Sequence, residues 1–297
     1  MTIWKAIIMG VIQGLAEFLP ISSSGHLAIF KHILNIDLEN GGLLFDVLLH
    51  LGTLIAVFIA FWSDIRKLIV EGFGIIGGFF ANVGRMAANV VSRPEGGKRE
   101  WKPILNTPYR RFVMLIIVST IPTGILGLAL QDVIERASAT LIVPGIFLIL
   151  TAILLLVAEN YRPKNAGRIK EKNATYTQAL IVGTAQGIAT MPGLSRSGST
   201  ITACLLCGFD KSFAVRYSFI MSIPAILGAL VLELKDFGSE TIAASELWYY
   251  AAGTLVSAVV GYICIKTMLV VVRQKKFRYF AYYCFVVGLT AVMWNFL

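Results

Sequence analysis

Six stretches of the chain read as near-unbroken apolar runs, at about 43–62, 111–131, 140–158, 214–233, 246–267 and 278–297. Each is long enough to carry a helix across a hydrocarbon core, which takes about 20 residues. Phe112–Leu130 and Leu141–Ala158 hold no charge at all. None of the runs shows the alternation over about 10 residues that marks a membrane barrel, so the fold class is all-α. Residues 3–33 and 176–208 depart from this pattern. Each contains two shorter apolar stretches separated by a Pro/Gly/Ser cluster, Leu19-Pro20-Ile21-Ser22-Ser23-Ser24-Gly25 in one and Pro192-Gly193-Leu194-Ser195-Arg196-Ser197-Gly198 in the other. Pro and Gly stop helices and Ser caps the next one, so each reads as helix, break, helix. Irregular backbone at membrane depth survives only when it is buried in protein or lines a wet cavity. Both segments are therefore expected to be re-entrant hairpins, giving six spans and two hairpins in a single membrane domain over 1–297.

Composition agrees: of 297 residues, 57% are apolar and 14% charged, with mean hydropathy +0.75. Soluble domains carry about a quarter charged residues, so an ordinary globular enzyme is excluded. The net charge of +9 does not indicate nucleic acid, because the basic residues lie between the apolar runs and report topology. The loop 63–111, which contains the basic insert at about 63–110, holds nine Lys and Arg, 159–175 five and 266–278 five. With the hairpins not crossing, 21 basic residues fall on the cytoplasmic side and four outside, with Arg196 left in the membrane. Counting the hairpins as spans breaks that alternation. The first hairpin then opens outward and the second inward. The N-terminal run contains Gln13 and Glu17 and lacks a small-x-small cleavage site, so it is not read as a signal peptide. Cys204, Cys207, Cys264 and Cys284 lie in apolar segments with no His at metal spacing and are expected to be packing residues.

A shift of 173 residues lays Ala6–His26 on Ala179–Ser199 without a gap, with nine of 21 positions identical. Gly10/Gly183, Gln13/Gln186, Gly14/Gly187, Ser22/Ser195 and Ser24/Ser197 are among them. Similar hairpins opening to opposite sides describe an inverted-topology repeat, at about 3–62 and 176–233, whose broken helices meet near the midplane and build the site there.

Helix N-termini offer unpaired N–H groups and a positive dipole end, so two Ser/Gly-rich starts facing each other form an anion cradle. Arg196 sits in one of them. An arginine at membrane depth needs an anionic partner, and its planar fork suits a phosphate, although pairing with Glu17 to hold the hairpins together is the alternative. Ser23 and His26, three apart at a helix start, are expected to reach each other as hydroxyl and general base. Glu17, four residues after Gln13, either orients His26 or holds a divalent cation, Mg2+ or Ca2+, bridging phosphate oxygens. Gln13, Ser22, Ser24, Ser195, Ser197 and Thr200 are the expected substrate-binding groups, with capping the alternative for the serines. Asp46 and His50, one turn apart, read as supporting or helix-pairing residues.

Gln13-Gly14-Leu15-Ala16-Glu17-Phe18-Leu19-Pro20-Ile21-Ser22-Ser23-Ser24-Gly25-His26 and Pro192-Gly193-Leu194-Ser195-Arg196-Ser197-Gly198-Ser199-Thr200 resemble the two signature motifs of the bacterial undecaprenyl-diphosphate phosphatase family, of the bacitracin-resistance type. The resemblance covers nearly the whole chain, including Phe45-Asp46-Val47 to Gly52-Thr53 and Ile121-Pro122 to Gly127. The family's first motif has Glu or Gln, three residues, then Glu, which Gln13 and Glu17 match. The resemblance implies Ser23 as nucleophile beside His26 and Arg196 as phosphate ligand. It implies removal of the terminal phosphate from undecaprenyl diphosphate, returning the monophosphate carrier to peptidoglycan synthesis and conferring bacitracin resistance. The expected partners are a polyprenyl diphosphate lipid, the membrane, and a second copy of the chain as a homodimer, with no nucleic acid. The expected place is a bacterial cytoplasmic membrane, multi-pass, with the active site open to the outer face. The basic insert around 80–108 departs from the family pattern and is expected to dock on anionic lipid or a partner. The rival class is a secondary transporter or flippase of an anionic lipid, since broken-helix inverted repeats are frequent there. Ser23 with His26 favours hydrolysis, and the chain has no P-loop for a nucleotide.

Overall fold

The computed structural model describes residues 2–34, 36, 42–91, 99–138, 140–161, 163, 166–236, 244–274 and 276–294. Arg93 and Lys98 of the basic insert lie outside the described residues. Among those described, the chain forms helices and no strand, apart from one isolated parallel bridge between Ile169 and Phe209. The first broken segment is α1 (Ile3–Phe18) and α2 (Ser23–Ile33), and the second is α8 (Tyr176–Ile188) and α9 (Arg196–Leu206). Each apolar run is a helix: α3 (Gly42–Ala60), α5 (Pro108–Ala129), α7 (Ile142–Asn160), α10 (Lys211–Asp236), α11 (Ala244–Gln274) and α12 (Arg278–Trp294). Two further helices, α4 (Trp62–Val91) and the short α6 (Gln131–Ser138), lie between them.

Local chemistry sets the boundaries. Thr107 caps α5, accepting from Arg110 N at 3.1 Å, and Pro108 sits just inside, where no N–H is needed. Thr175 and Gln178 close α8 with a reciprocal capping box. By length and composition five helices are able to cross a membrane: Trp62–Val90, Pro108–Ala129, Ile142–Asn160, Lys211–Leu232 and Leu247–Gln274. The set differs from the sequence expectation at α4, read there as part of an insert. It also differs at α3 and α12, whose apolar stretches Leu44–Ala60 and Arg278–Trp294 are shorter than any of those five.

Helix packing relies on close backbone approach, as it must where lipid removes the hydrophobic drive between helices. α1 lies on α11 through Gly10 and Gly14: a Cβ there would stand 2.4 Å from the Gly253 carbonyl oxygen and 2.8 Å from that of Ser257. α8 lies on α5 through Gly183 and Gly187, the positions 173 residues on, with a Cβ 2.1 Å from the Ser119 carbonyl oxygen and 2.7 Å from Leu126 Cβ. α7 and α12 meet at Gly145 and Gly288. Between these pairs lies an aromatic core in which Phe18 meets Phe219 edge-on at 5.3 Å and the fully buried Tyr217 stacks on Phe112 at 5.8 Å. At one end of the bundle Arg216 joins Asp64 and Glu171, each at 3.0 Å, tying together α4, α10 and the segment before α8. The four cysteines are free, and Cys204, Cys264 and Cys284 are buried in packing, as expected.

Candidate active site

The two breaks meet tip to tip. After α1 the chain turns through Leu19-Pro20-Ile21 into Ser22, which takes φ +71°, the only positive φ of a non-glycine among the described residues. That conformation is costly for a residue with a Cβ, and such strain concentrates at functional sites. Ser22 then caps α2, accepting from Gly25 N at 3.3 Å, and Ser195 caps α9 in the same way from Gly198 N at 3.1 Å. Gly193 N donates to Ser24 Oγ at 3.4 Å and Ser197 Oγ to the Leu19 carbonyl at 3.3 Å, which couples the two tips. Gly193 has φ +92°, and a Cβ there would stand 2.1 Å from the Pro144 carbonyl oxygen.

Glu17, the penultimate residue of α1, is 6% exposed and serves as the hub. Its Oε1 is ion-paired with Arg196 Nη2. Its Oε2 accepts from Ser23 Oγ at 2.7 Å and from Gln13 Nε2 at 3.1 Å. His50 Nδ1 lies 3.0 Å from Gln13 Nε2 and 3.8 Å from Glu17 Oε2. Ser23 and Arg196 are the first residues of α2 and α9, equivalent under the 173-residue shift, so the two hairpins deliver a hydroxyl and a guanidinium to one carboxylate.

Here the geometry departs from the expected Ser23–His26 pair. His26 Nδ1 is 2.8 Å from the Ser22 carbonyl oxygen and Nε2 is 2.8 Å from Tyr283 Oη, with the two rings stacked at 5.5 Å. A carbonyl only accepts, so Nδ1 carries the proton; in the neutral ring Nε2 is then the lone-pair nitrogen and Tyr283 donates to it. Ser23 turns instead toward a charged acceptor, the stronger hydrogen-bond partner. Glu17 accordingly orients Ser23, not His26.

Of the other expected groups, Gln13 joins the Glu17 cluster and Ser24 is exposed at the tip. Ser22, Ser195 and Ser197 are buried and act as caps and tip contacts. Thr200 is directed away: its Oγ1 donates back to the Arg196 carbonyl at 2.8 Å and lies 2.5 Å from Ser218 Oγ on α10. It steadies the start of α9 and stands apart from the cluster. Asp46 is ion-paired with Lys31 of α2. Tyr283 carried no signal in the sequence, being one of three tyrosines near the start of an apolar run. His50 was legible only as a supporting residue.

For a divalent cation the donors are oxygen atoms, as a hard ion requires. Gln13 Oε1 is buried without a hydrogen-bond partner, beside the Glu17 carboxylate. Among the described residues no three His, Cys, Asp or Glu side chains cluster as a ligand set. The donors thus fit an ion completed by substrate phosphate oxygens, held by Glu17 and Gln13 Oε1, and not a cage made by protein alone.

A model of the family described as bacitracin resistance protein BacA matches residues 6–290. The chain is 41% identical over 291 residues to the undecaprenyl-diphosphatase of Methanosphaera stadtmanae, covering 98% of this chain and 97% of that protein. It is 40% identical over 294 residues to that of Halothermothrix orenii, with 99% and 98% covered. Identity to that of Alkaliphilus metalliredigens is 39% over 297 residues, the full length of both.

Proposed function

Because the chain belongs to the bacitracin resistance protein BacA family, we propose that it is an undecaprenyl-diphosphatase of the membrane. It cleaves the phosphoanhydride of undecaprenyl diphosphate to give undecaprenyl phosphate and inorganic phosphate. The observation that carries the chemistry is the shared carboxylate: one oxygen of Glu17 holds the Ser23 hydroxyl at 2.7 Å while the other holds Arg196.

The mechanism follows from those two contacts. An incoming diphosphate competes for Arg196, whose guanidinium takes two phosphate oxygens in place of the carboxylate. Glu17, released from its counter-charge, accepts the Ser23 proton. Ser23 Oγ then bonds to the terminal phosphorus as the anhydride P–O bond breaks, and the electron pair leaves on undecaprenyl phosphate. Arg196 and the N–H groups at the starts of α2 and α9 stabilise the charge that develops on the equatorial oxygens. In the second half, water attacks the phosphoserine, its proton passes to the Tyr283 hydroxyl as that hydroxyl gives its own to His26 Nε2, Ser23 leaves with the proton returned by Glu17, and His26 yields its proton to the departing phosphate. A divalent cation held by Glu17, Gln13 Oε1 and the diphosphate would add charge neutralisation at the leaving oxygen.

The proposed topology has α3, α5, α7, α10, α11 and α12 crossing, with α1–α2 and α8–α9 as re-entrant hairpins of an inverted repeat. The hairpin helices have 16, 11, 13 and 11 residues, too short to cross at 1.5 Å per residue. The matched glycine pairs of α1 on α11 and α8 on α5 support the repeat. The basic count supports an outward mouth for the first hairpin and a multi-pass place in the cytoplasmic membrane. Phosphate release from undecaprenyl diphosphate by the purified chain, with and without a chelator, tests the activity and the ion together. Absence of release in both the presence and absence of added Mg2+ or Ca2+ overturns the hydrolase assignment.

A further inference from the structure

α4 is 30 residues of helix with an apolar composition, yet only 11% of its most apolar stretch is buried against the rest, compared with 22–50% for the other four long helices. Its side chains are sorted by face. Asp64, Lys67, Glu71, Asn82, Arg85 and Asn89 recur at helical spacing on one stripe, with Gly74 and Gly78 filling the interval. Ile69, Phe73, Ile76, Phe80, Val83 and Val90 occupy the opposite face, and all are exposed, Phe73 by 70% and Phe80 by 66%.

The polar stripe is covered by a strap that runs back along it. Tyr109 Oη donates to Asp64 at 2.8 Å and Arg110 Nε to Glu71 at 2.7 Å. Ile104 lies against Gly78. The Asn82 amide brackets the backbone of Lys102, with bonds of 2.8 and 3.1 Å, and the Asn89 amide brackets that of Arg99, with two of 2.9 Å. As α4 advances from 64 to 89, its partners retreat from 110 to 99. These are contacts with the beginning of α5 and the irregular segment before it, not with the length of α5.

That arrangement decides how α4 meets the bilayer. If α4 crossed, the strap would cross beside it, placing non-helical backbone with Arg99, Glu100 and Lys102 at hydrocarbon depth, where exposed irregular backbone is not tolerated. We propose that α4 and its strap form a paddle lying in the plane of the membrane on the basic side of the protein. Its Phe73–Phe80 face enters the acyl region and its cations rest among anionic lipid headgroups. Arg66, Lys67, Arg85, Arg99 and Lys102 supply that charge, whereas Asp64 and Glu71 are engaged by Arg216 and Arg110. An amphipathic helix with an aromatic apolar face and a cationic rim has the composition of an interfacial anchor. The inference rests on the chain being a membrane protein and is independent of its hydrolase reading.

The test uses the full chain in nanodiscs, with the four native cysteines replaced by alanine and a bimane label at Phe80→Cys or Arg85→Cys. With one-third phosphatidylglycerol in phosphatidylcholine, lipids spin-labelled just below the headgroups should quench the Phe80 label at least threefold more than lipids labelled near the chain ends. The Arg85 label should stay open to aqueous iodide. Stronger quenching of the Phe80 label by the chain-end probe means that α4 crosses, and equal iodide quenching at both positions means that the face meets water or protein; either overturns the proposal. In pure phosphatidylcholine, or with Arg99→Glu and Lys102→Glu, iodide quenching at Phe80 should rise severalfold while phosphate release in detergent is unchanged. No change in pure phosphatidylcholine rejects the anionic headgroups as the occupant. Because the readout is depth, failure of the paddle is distinguishable from failure of the enzyme.

Discussion

Among the partners of Glu17, Arg196 and Ser23 take opposite oxygens of the carboxylate, and the proposed mechanism has phosphate draw Arg196 away. In the proposed mechanism Arg196 moves to the substrate and the Glu17 oxygen 2.7 Å from Ser23 Oγ accepts its proton. Arg196→Lys should therefore lose most turnover although the charge is kept, because an ammonium cannot take two phosphate oxygens in one plane; near-normal kcat in that variant removes Arg196 from the substrate. Glu17→Gln keeps the shape and should lower kcat by about 10²–10⁴, the range for a general base. Combining it with Ser23→Ala should add little, since the two act as one unit. Multiplicative losses in the double variant, measured at saturating lipid, separate Glu17 from Ser23. Tyr283→Phe removes one hydrogen bond to His26 but keeps the stack, so kcat should fall about twofold to tenfold with KM unchanged. The Arg196–Glu17 pair was legible as one of the two partners the motifs offered that arginine, whereas the Ser23–Glu17 bond was not. Ser23 is six residues from Glu17 and three from His26, and the bend at Ser22 turns it toward the more distant one. Tyr283 comes from the far end of the chain, where periodicity reports burial and nothing about a partner 257 residues away.

Among the elements, the helices that the apolar runs imply are all present, because an uncharged run of that length in lipid has one way to satisfy its backbone. α4 was not legible as a helix. Its polar stripe and glycines dilute the run, and the surrounding Lys and Arg make it read as a basic loop. The strap that completes its polar face is distant in sequence and has no pattern of its own. The glycines that set helix spacing were visible as identities between the hairpins, but their purpose required the carbonyls they meet. Gly183→Ala places a Cβ 2.1 Å from the Ser119 carbonyl oxygen, whereas Gly228, on α10, has nothing within 4 Å of the same position. Overpacking of this kind costs about 1–3 kcal/mol or more when backbone must yield. Thermal unfolding in detergent should show a clear fall in midpoint for Gly183→Ala and little change for Gly228→Ala. Equal midpoints would mean that α8 does not bear on α5 as tightly as the geometry requires.

At the scale of the whole molecule, orientation follows from charge. The tips of the two hairpins touch through Gly193 N to Ser24 Oγ and Ser197 Oγ to the Leu19 carbonyl, and the proposed mechanism brings the headgroup to Ser23 and Ser24 through the mouth of the first hairpin. In the proposed topology the first hairpin opens toward the side that carries α6, between α5 and α7. The segment 166–175 and the starts of α5 and α10 lie on the other, where Arg216, Arg110, Arg111 and the basic strap gather. The proposed orientation puts that second side in the cytoplasm, on the distribution of Lys and Arg. Asp132 on α6 and Lys172 before α8 are both exposed, which makes them paired reporters. In a background without the native cysteines, Asp132→Cys should react with an impermeant maleimide added to intact cells. Lys172→Cys should react only after the membrane is opened. The reverse pattern would turn the active site inward and leave its chemistry intact, since no contact around Glu17 depends on which leaflet faces the cell. Labelling of both in intact cells would instead mean an even number of crossings between residues 132 and 172, which contradicts α7 as a single span between them.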